Sequence, residues 1–158
     1  MSATLCCFPY PSVVGTLWIS ERDGAITAIS YAKPAAGIER ETPLIHTAVS
    51  QLEEYFSGTR REFDLPLSPE GTPFQQSVWQ ALLAIPYGTR STYGEIARAV
   101  GCPRGSRAVG MACNRNPVAI VIPCHRVVGG DGRLTGYAGG LDVKAALLAL
   151  ETSAGRLL

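Results

Sequence analysis

A run of five aliphatic residues, Val118–Ile122, lies between Pro117 and Pro123 and ends on Cys124-His125-Arg126. The run is far too short to span a bilayer. Its length and β-branched content read as a short buried strand. A strand that ends there delivers the Cys124 thiol to a fixed place, with a histidine and an arginine as chain neighbours. Nearby cations lower a thiol pKa, and the thiolate is the reactive form. A small inert core cysteine beside a loop-capping histidine satisfies the same local pattern.

The flanking sequence sorts into two lobes, 1–70 and 71–158. In the first, Val13–Val14 and Thr16–Ser20 are β-prone, Glu21-Arg22-Asp23-Gly24 supplies a turn, and Ile26–Tyr31 is the return strand. Lys33 to Glu41 reads as a loop. Thr42-Pro43 is an N-cap with proline at the first helical position, followed by Leu44, Ala48, Leu52, Tyr55 and Phe56 at helical spacing. Arg60 to Pro73 holds three prolines and reads as the linker.

The second lobe opens on Thr72-Pro73-Phe74-Gln75, a capping box with proline at N1. Phe74, Val78, Trp79 and Leu82 form its apolar face. Thr92-Tyr93-Gly94-Glu95 is a second capping box. Gly101-Cys102-Pro103 breaks that helix, and Ser106 is placed to cap a third running to about Cys113. Helix, Gly-containing turn, helix is the helix-turn-helix pattern, which many all-helical cores share. Gly-rich loops from Gly129 to Gly140 lead to a closing helix from Asp142 to Glu151.

At 46% apolar and 17% charged, the 158 residues can bury a core, and the formal charge is only +1. That balance conceals a division. Residues 1–70 carry five basic and nine acidic side chains, net −4, while residues 71–158 carry nine and four, net +5. From Arg90 to Arg133 there are seven arginines against Glu95 and Asp131. An anionic partner for the second lobe is expected. The odd cysteine count, with no Cys-x-x-Cys pair and no basic residue before Arg22, predicts a reducing cytoplasm, with no disulfide scaffold or secretory leader. With only His46 and His125, no metal site is expected.

The segment Asn116-Pro117-Val118-Ala119-Ile120-Val121-Ile122-Pro123-Cys124-His125-Arg126-Val127-Val128-Gly129 stands among several others. They are Pro86-Tyr87-Gly88-Thr89, Thr92-Tyr93-Gly94-Glu95, Ser106-Arg107-Ala108-Val109-Gly110, Gly136-Tyr137-Ala138-Gly139-Gly140 and Leu150-Glu151. Together they resemble the O6-alkylguanine-DNA alkyltransferases. The resemblance is strong from Gly71 to Glu151, and in the first lobe rests on size and strand-then-helix order. It implies an α/β protein of two lobes: a ribonuclease-H-like antiparallel sheet with a helix, then a mostly helical, winged-helix-like domain with the helix-turn-helix.

The resemblance also implies a chemistry. Cys124 is the nucleophile that takes an alkyl group from guanine O6, or thymine O4, once per molecule and with no cofactor. Glu151 orients His125, which deprotonates the thiol through a water, and Asn116 braces the turn before the cysteine. Chemistry on a stacked base requires flipping it out. Arg107 matches the arginine that fills the gap, and Tyr93 the tyrosine that crowds the target phosphate and can donate a proton to the leaving guanine. Ser106, Ala108 and Gly110 lie on the helix that enters the minor groove of duplex DNA. Cys113, Val127, Tyr137, Ala138 and Gly139 match the alkylguanine pocket, where Ala138 leaves any O6 contact to backbone N–H. Small side chains at Cys113 and Ala119 predict tolerance of groups larger than methyl. A monomer is expected, with cooperative assembly on DNA left open.

Three other functions compete. Alkyltransferase-like lesion sensors share this domain but replace the nucleophile, which Cys124 argues against. A cysteine hydrolase needs a separately placed base, and adjacent Cys124-His125 is poor geometry for a direct dyad. A helix-turn-helix regulator leaves the cysteine motif unexplained.

Overall fold

The computed structural model describes residues 4–152. Residues 1–3 and 153–158, which include the outer ends of both expected lobes and Arg156, lie outside the described residues. The first lobe is a sheet of β1 (Cys6–Ser12), β2 (Gly15–Arg22), β3 (Ala25–Ser30) and β4 (Ile38–Glu39), in the order β3-β2-β1-β4. β1, β2 and β3 pair antiparallel, and β4 adds parallel to β1. Asp23 and Gly24, at φ 55° and 75°, make the two-residue turn between β2 and β3, where a tight hairpin needs positive φ at both positions.

Two sequence expectations fail in this lobe. Val13–Val14 is the turn between β1 and β2, where Ser12 pairs with Gly15, and not a strand. The strand lies earlier, across Pro9 and Pro11. Proline survives there because the Cys7 carbonyl faces β4, accepting from Arg40 N, so the nitrogens of residues 7, 9 and 11 all point to that sparsely paired edge. The expected loop from Lys33 to Glu41 also contains the short β4.

α1 (Pro43–Phe56) starts as expected, with Thr42 accepting from Ile45 N and proline in the first turn. It lays Ile45, Ala48, Leu52, Tyr55 and Phe56 on the sheet face formed by Leu17, Ile19 and Ile29, all fully buried. Burying each aliphatic side chain there is worth roughly 1.5–3 kcal/mol.

The segment expected as a linker is part of the fold. Ile26 N donates to Pro66 O and Ser68 N to Ile26 O, so residues 66–68 pair along the outer edge of β3. Farther along the same edge, Ile29 N donates to Pro117 O and Ala119 N to Ile29 O. The first segment is the tail of the first lobe and the second comes from the second lobe; together they cover an edge that would otherwise be open.

The second lobe contains α2 (Pro73–Leu83), α3 (Tyr93–Ala99), α4 (Ser106–Asn114) and α5 (Leu141–Thr152). β5 (Ser91–Thr92) pairs parallel with β6 (Val127–Val128). The Thr72/Gln75 capping box is complete. At α3, Thr92 caps Glu95 N, but the Glu95 carboxylate meets the Thr92 hydroxyl and not its backbone. Ser106 does not cap α4: Gly105 is the N-cap and supplies no side chain, so Ser106 begins the helix instead. Trp79 Nε1 donates to Ala112 O at 3.0 Å and locks α2 against α4.

The aliphatic run before Cys124 is buried but is not a strand. Only Val118 bridges to Ile29, and the chain then turns through Ile120 at φ 72°. A β-branched residue in the left-handed region is costly. It persists because Ile120 is 1% exposed and the turn is closed by Val121 N to Ala119 O and Ile122 N to Val118 O. Among the described residues, no helix is long and apolar enough to cross a membrane.

Candidate active site

The turn through Ile120 ends in one 3₁₀ turn, Cys124–Arg126, whose three side chains are all buried. Asn116 ties the two ends of this excursion together. Its Oδ1 accepts from Val118 N at 3.0 Å, and its Nδ2 donates to Ile122 O at 2.8 Å and to Cys124 Sγ at 3.2 Å. The residue expected to brace the turn therefore also touches the thiol.

His125 points the other way along the 3₁₀ turn, to α5. Its Nε2 lies 2.8 Å from Glu151 Oε2. Arg126 Nε and Nη2 donate to the same carboxylate at 2.8 and 3.0 Å, and the Tyr55 hydroxyl donates to Oε2 at 2.6 Å. Burial alone would raise the Glu151 pKa, but hydrogen bonds and charge from His125 and Arg126 overcome it and hold the carboxyl at about 2. A carboxylate can only accept, so His125 carries its proton on Nε2 and presents the lone pair of Nδ1. That nitrogen is buried and has no hydrogen-bond partner among the described residues. Burial lowers the His125 pKa, against the pull of Glu151, so the ring is neutral and basic at Nδ1.

Burial pushes the Cys124 thiol up, while the Asn116 hydrogen bond and the charge of Lys144 draw it down. The arginine expected to activate the thiol does not face it. Arg126 is spent on Glu151 and on Ile85 O, and the cation that acts on Cys124 is Lys144, on α5.

Two tyrosines from different lobes close one wall. Tyr31 and Tyr137 hydroxyls are 2.7 Å apart, with their rings edge to face. Gly139 packs on the Tyr31 ring so closely that a Cβ there would lie 2.7 Å from it. Ala138 is exposed, Val127 is fully buried, and Cys113 is half-buried. Burial, with the Cys124 charge second, pushes the Cys113 thiol up to about 12, so it remains protonated at neutral pH.

Tyr93, Ser106, Arg107, Gly110, Thr135 and Gly136 line an open cleft of roughly 470 Å³. Tyr93 and Thr135 hydroxyls are 2.6 Å apart across it. Gly110 faces the Tyr93 ring, where a Cβ would sit 3.8 Å away, an ordinary contact that does not require glycine. Ala108 faces a separate, smaller cleft of roughly 340 Å³ with Thr72, Phe74 and Met111. Arg107 is exposed. Arg126 must be subtracted from the basic surface expected between residues 90 and 133, because it is buried and paired with Glu151.

Four residues around the site were not expected from the sequence: Tyr31, Tyr55, Thr135 and Lys144. Only Lys144 left a trace there. It lies seven residues before Glu151, hence on the same face of a helix.

A family model described as "6-O-methylguanine DNA methyltransferase, DNA binding domain" matches residues 73–153, and one described as "6-O-methylguanine DNA methyltransferase, ribonuclease-like domain" matches residues 7–69. The chain belongs to the 6-O-methylguanine DNA methyltransferase family. The methylated-DNA–protein-cysteine methyltransferase of Methanosarcina acetivorans is 48% identical to it over 151 residues, covering 91% of this chain and 96% of that one. Its counterpart in Methanosarcina barkeri is 51% identical over 147 residues, covering 89% and 92%. The crystal structure of Mycobacterium tuberculosis OGT in complex with DNA superposes with a TM-score of 0.90 at 42% identity, covering 96% of this chain and 95% of that one. As a member of this methyltransferase family, the chain performs direct-reversal repair by alkyl transfer, and a non-catalytic lesion sensor is not favoured. Its two-lobe architecture is that of the family.

Proposed function

We infer that Cys124 is the acceptor and that His125 is its base. The observation that carries this is the fixed tautomer of His125: an ionised Glu151 holds Nε2–H, leaving Nδ1 buried and without a partner among the described residues, on the residue that follows the cysteine whose sulfur Asn116 already holds. Nδ1 takes the thiol proton through a water. The sulfur lone pair forms a bond to the alkyl carbon as the carbon–O6 bond breaks, and the electron pair of that bond passes to O6 of the leaving guanine. The guanine gains a proton from the Tyr93 phenol, which regains one from solvent as His125 releases the thiol proton to solvent, so the net exchange is thiol plus O6-alkylguanine for thioether plus guanine. A thioether offers no leaving group for return, so each molecule acts once. O4-alkylthymine presents the same alkyl–oxygen bond and is the second substrate.

The partner is duplex DNA, as the DNA-bound Mycobacterium tuberculosis relative supports. α4 enters the minor groove with Ser106, Ala108 and Gly110 on its exposed part, Arg107 takes the place of the flipped nucleotide, and Tyr93 stands at the phosphate. Tyr137, Ala138, Gly139, Val127 and Cys113 surround the flipped base. The protein acts as a monomer, and a modest number of arginine–phosphate contacts gives a shallow salt dependence. Five free cysteines suit a cytoplasmic protein.

The decisive experiment incubates the protein with duplex DNA bearing one O6-methylguanine and reads the tryptic peptides by mass spectrometry. One methyl group per protein on the Cys124 peptide, absent in Cys124→Ser, is the expected result. Repeated turnover, or methyl on Cys102 or Cys113, defeats the assignment.

A further inference from the structure

Thr135 stands in the cleft beside the tyrosine that gives up a proton, and the thiol relay makes no use of it. Its Oγ1 lies 2.6 Å from the Tyr93 hydroxyl. Its carbonyl accepts from Lys144 Nζ at 2.8 Å, which anchors this loop residue to α5. Tyr93 is held as well, because it is the first residue of α3, directly after the Thr92 cap. Both residues are half-buried, and both line the open cleft that they share with Arg107 and Gly110.

Each hydroxyl carries one proton and can also accept one. Among the described residues, each has the other as its hydrogen-bond partner. At 2.6 Å one of the two donates, and the proton of the other is free. When Tyr93 donates, its proton is turned to Thr135 and away from any substrate. When Thr135 donates, the phenol oxygen is the acceptor, and the phenol proton is free for a group bound in the cleft.

We propose that Thr135 is a positioning residue for the proton transfer: its hydroxyl donates to the Tyr93 oxygen and so directs the phenol proton to the leaving guanine. The inference rests on Tyr93 being the proton donor, and it deepens that reading. As the proton moves to the guanine, negative charge grows on the phenol oxygen. The neutral hydrogen bond from Thr135 then becomes a charge-assisted one, roughly twice as strong. A contact that strengthens only in the transition state raises the rate and not the affinity. Burial raises the Tyr93 pKa, and the Thr135 hydrogen bond opposes that rise, as a donor to the phenol oxygen does. Tyr93 regains its proton from solvent, and Thr135 keeps its own throughout.

The test measures single-turnover methyl transfer from O6-methylguanine in duplex DNA, with the full chain at saturating concentration. Thr135→Val keeps the shape of the side chain and removes the hydroxyl. It should slow transfer by about tenfold while duplex affinity is retained, and Thr135→Ser should restore most of the rate. In a Tyr93→Phe background the same substitution should slow transfer no further, because the group it acts through is gone. Iodoacetamide labelling of Cys124, whose leaving iodide needs no proton, should run at the parent rate in Thr135→Val. A parent transfer rate in Thr135→Val overturns the inference, as does a Thr135→Ser variant no faster than it, or an equal loss in both backgrounds. Slowed iodoacetamide labelling overturns it too, by showing that the substitution disturbs the thiol. Failure of the underlying reading has its own signature: Tyr93→Phe transferring at the parent rate removes the donor itself, and the inference with it.

Discussion

The phenol of Tyr55, on the helix of the first lobe, donates a 2.6 Å hydrogen bond to Oε2 of Glu151, the carboxylate that holds His125 Nε2 in the second. Both residues are buried, and they are 96 positions apart in the chain. The first lobe therefore supplies one of the partners that hold this carboxylate. Tyr31 likewise meets Tyr137 of the second lobe, and Ile29 holds the turn before Cys124.

Removing that hydroxyl leaves a buried carboxylate oxygen short of one donor. Tyr55→Phe should cost roughly 1–3 kcal/mol of stability, read from the midpoint of urea unfolding at constant slope. Alkyl transfer should slow as well, since Glu151 then has only second-lobe partners. A variant with parent stability and parent rate would mean that the 2.6 Å contact carries no weight.

Acid should unfold the protein through the same carboxylate. Glu151 titrates at about 2 in the folded protein against 4.5 in the reference state. The unfolded chain therefore binds more protons between these values. The contribution of Glu151 to stability is complete above about pH 4.5 and is lost as pH falls toward 2, by on the order of 3 kcal/mol. His125 acts in the same direction, because its depressed pKa means that the unfolded chain takes up its proton first as pH falls below the ordinary histidine value of 6.5. Melting temperature against pH should decline through both windows. Glu151→Gln should flatten the lower one, at the cost of a less stable protein at pH 7.

What was legible in the sequence was mostly local. The Thr72/Gln75 box and the Thr42 cap are hydrogen bonds between residues three apart, and both formed as read. The Cys124–His125–Glu151 grouping came through resemblance, and the geometry pairs His125 with Glu151 and Asn116 with Cys124. What escaped has non-local causes. Pro9 and Pro11 hid β1, because their tolerance depends on which edge of the sheet is unpaired. Val118–Ile122 has the composition of a strand, but pairing stops at Val118 once the chain must turn to place Cys124. Arg126 reads as an activating cation from its position next to the thiol, yet side chains two apart on a 3₁₀ turn diverge, and Glu151 claims it.

Arg107 should matter for duplex DNA and little else. It is exposed in the cleft beside Tyr93, so truncation leaves no void in the core. Arg107→Ala should keep the parent melting temperature and its rate with free O6-benzylguanine, while repair of O6-methylguanine in duplex DNA falls by about tenfold or more, as expected when the flipped state loses about 1.4 kcal/mol or more of support. Equal losses on both substrates would move Arg107 from base flipping to structure or chemistry.

The pocket should accept large alkyl groups because of what it lacks. Cys113 and Ala119 are small, the Cys113 thiol is protonated and inert, and Ala138 presents no hydroxyl. Filling the rim in place tests this without changing the relay. Cys113→Leu adds bulk at a half-buried position, where overpacking costs roughly 1–3 kcal/mol. That cost should fall on the larger substrate: benzyl transfer from DNA should slow by about tenfold relative to methyl transfer by the same variant. Methyl and benzyl rates measured on the same oligonucleotide settle it. Equal slowing of both would show that Cys113 lies away from the alkyl group, and that the breadth of the pocket is set elsewhere.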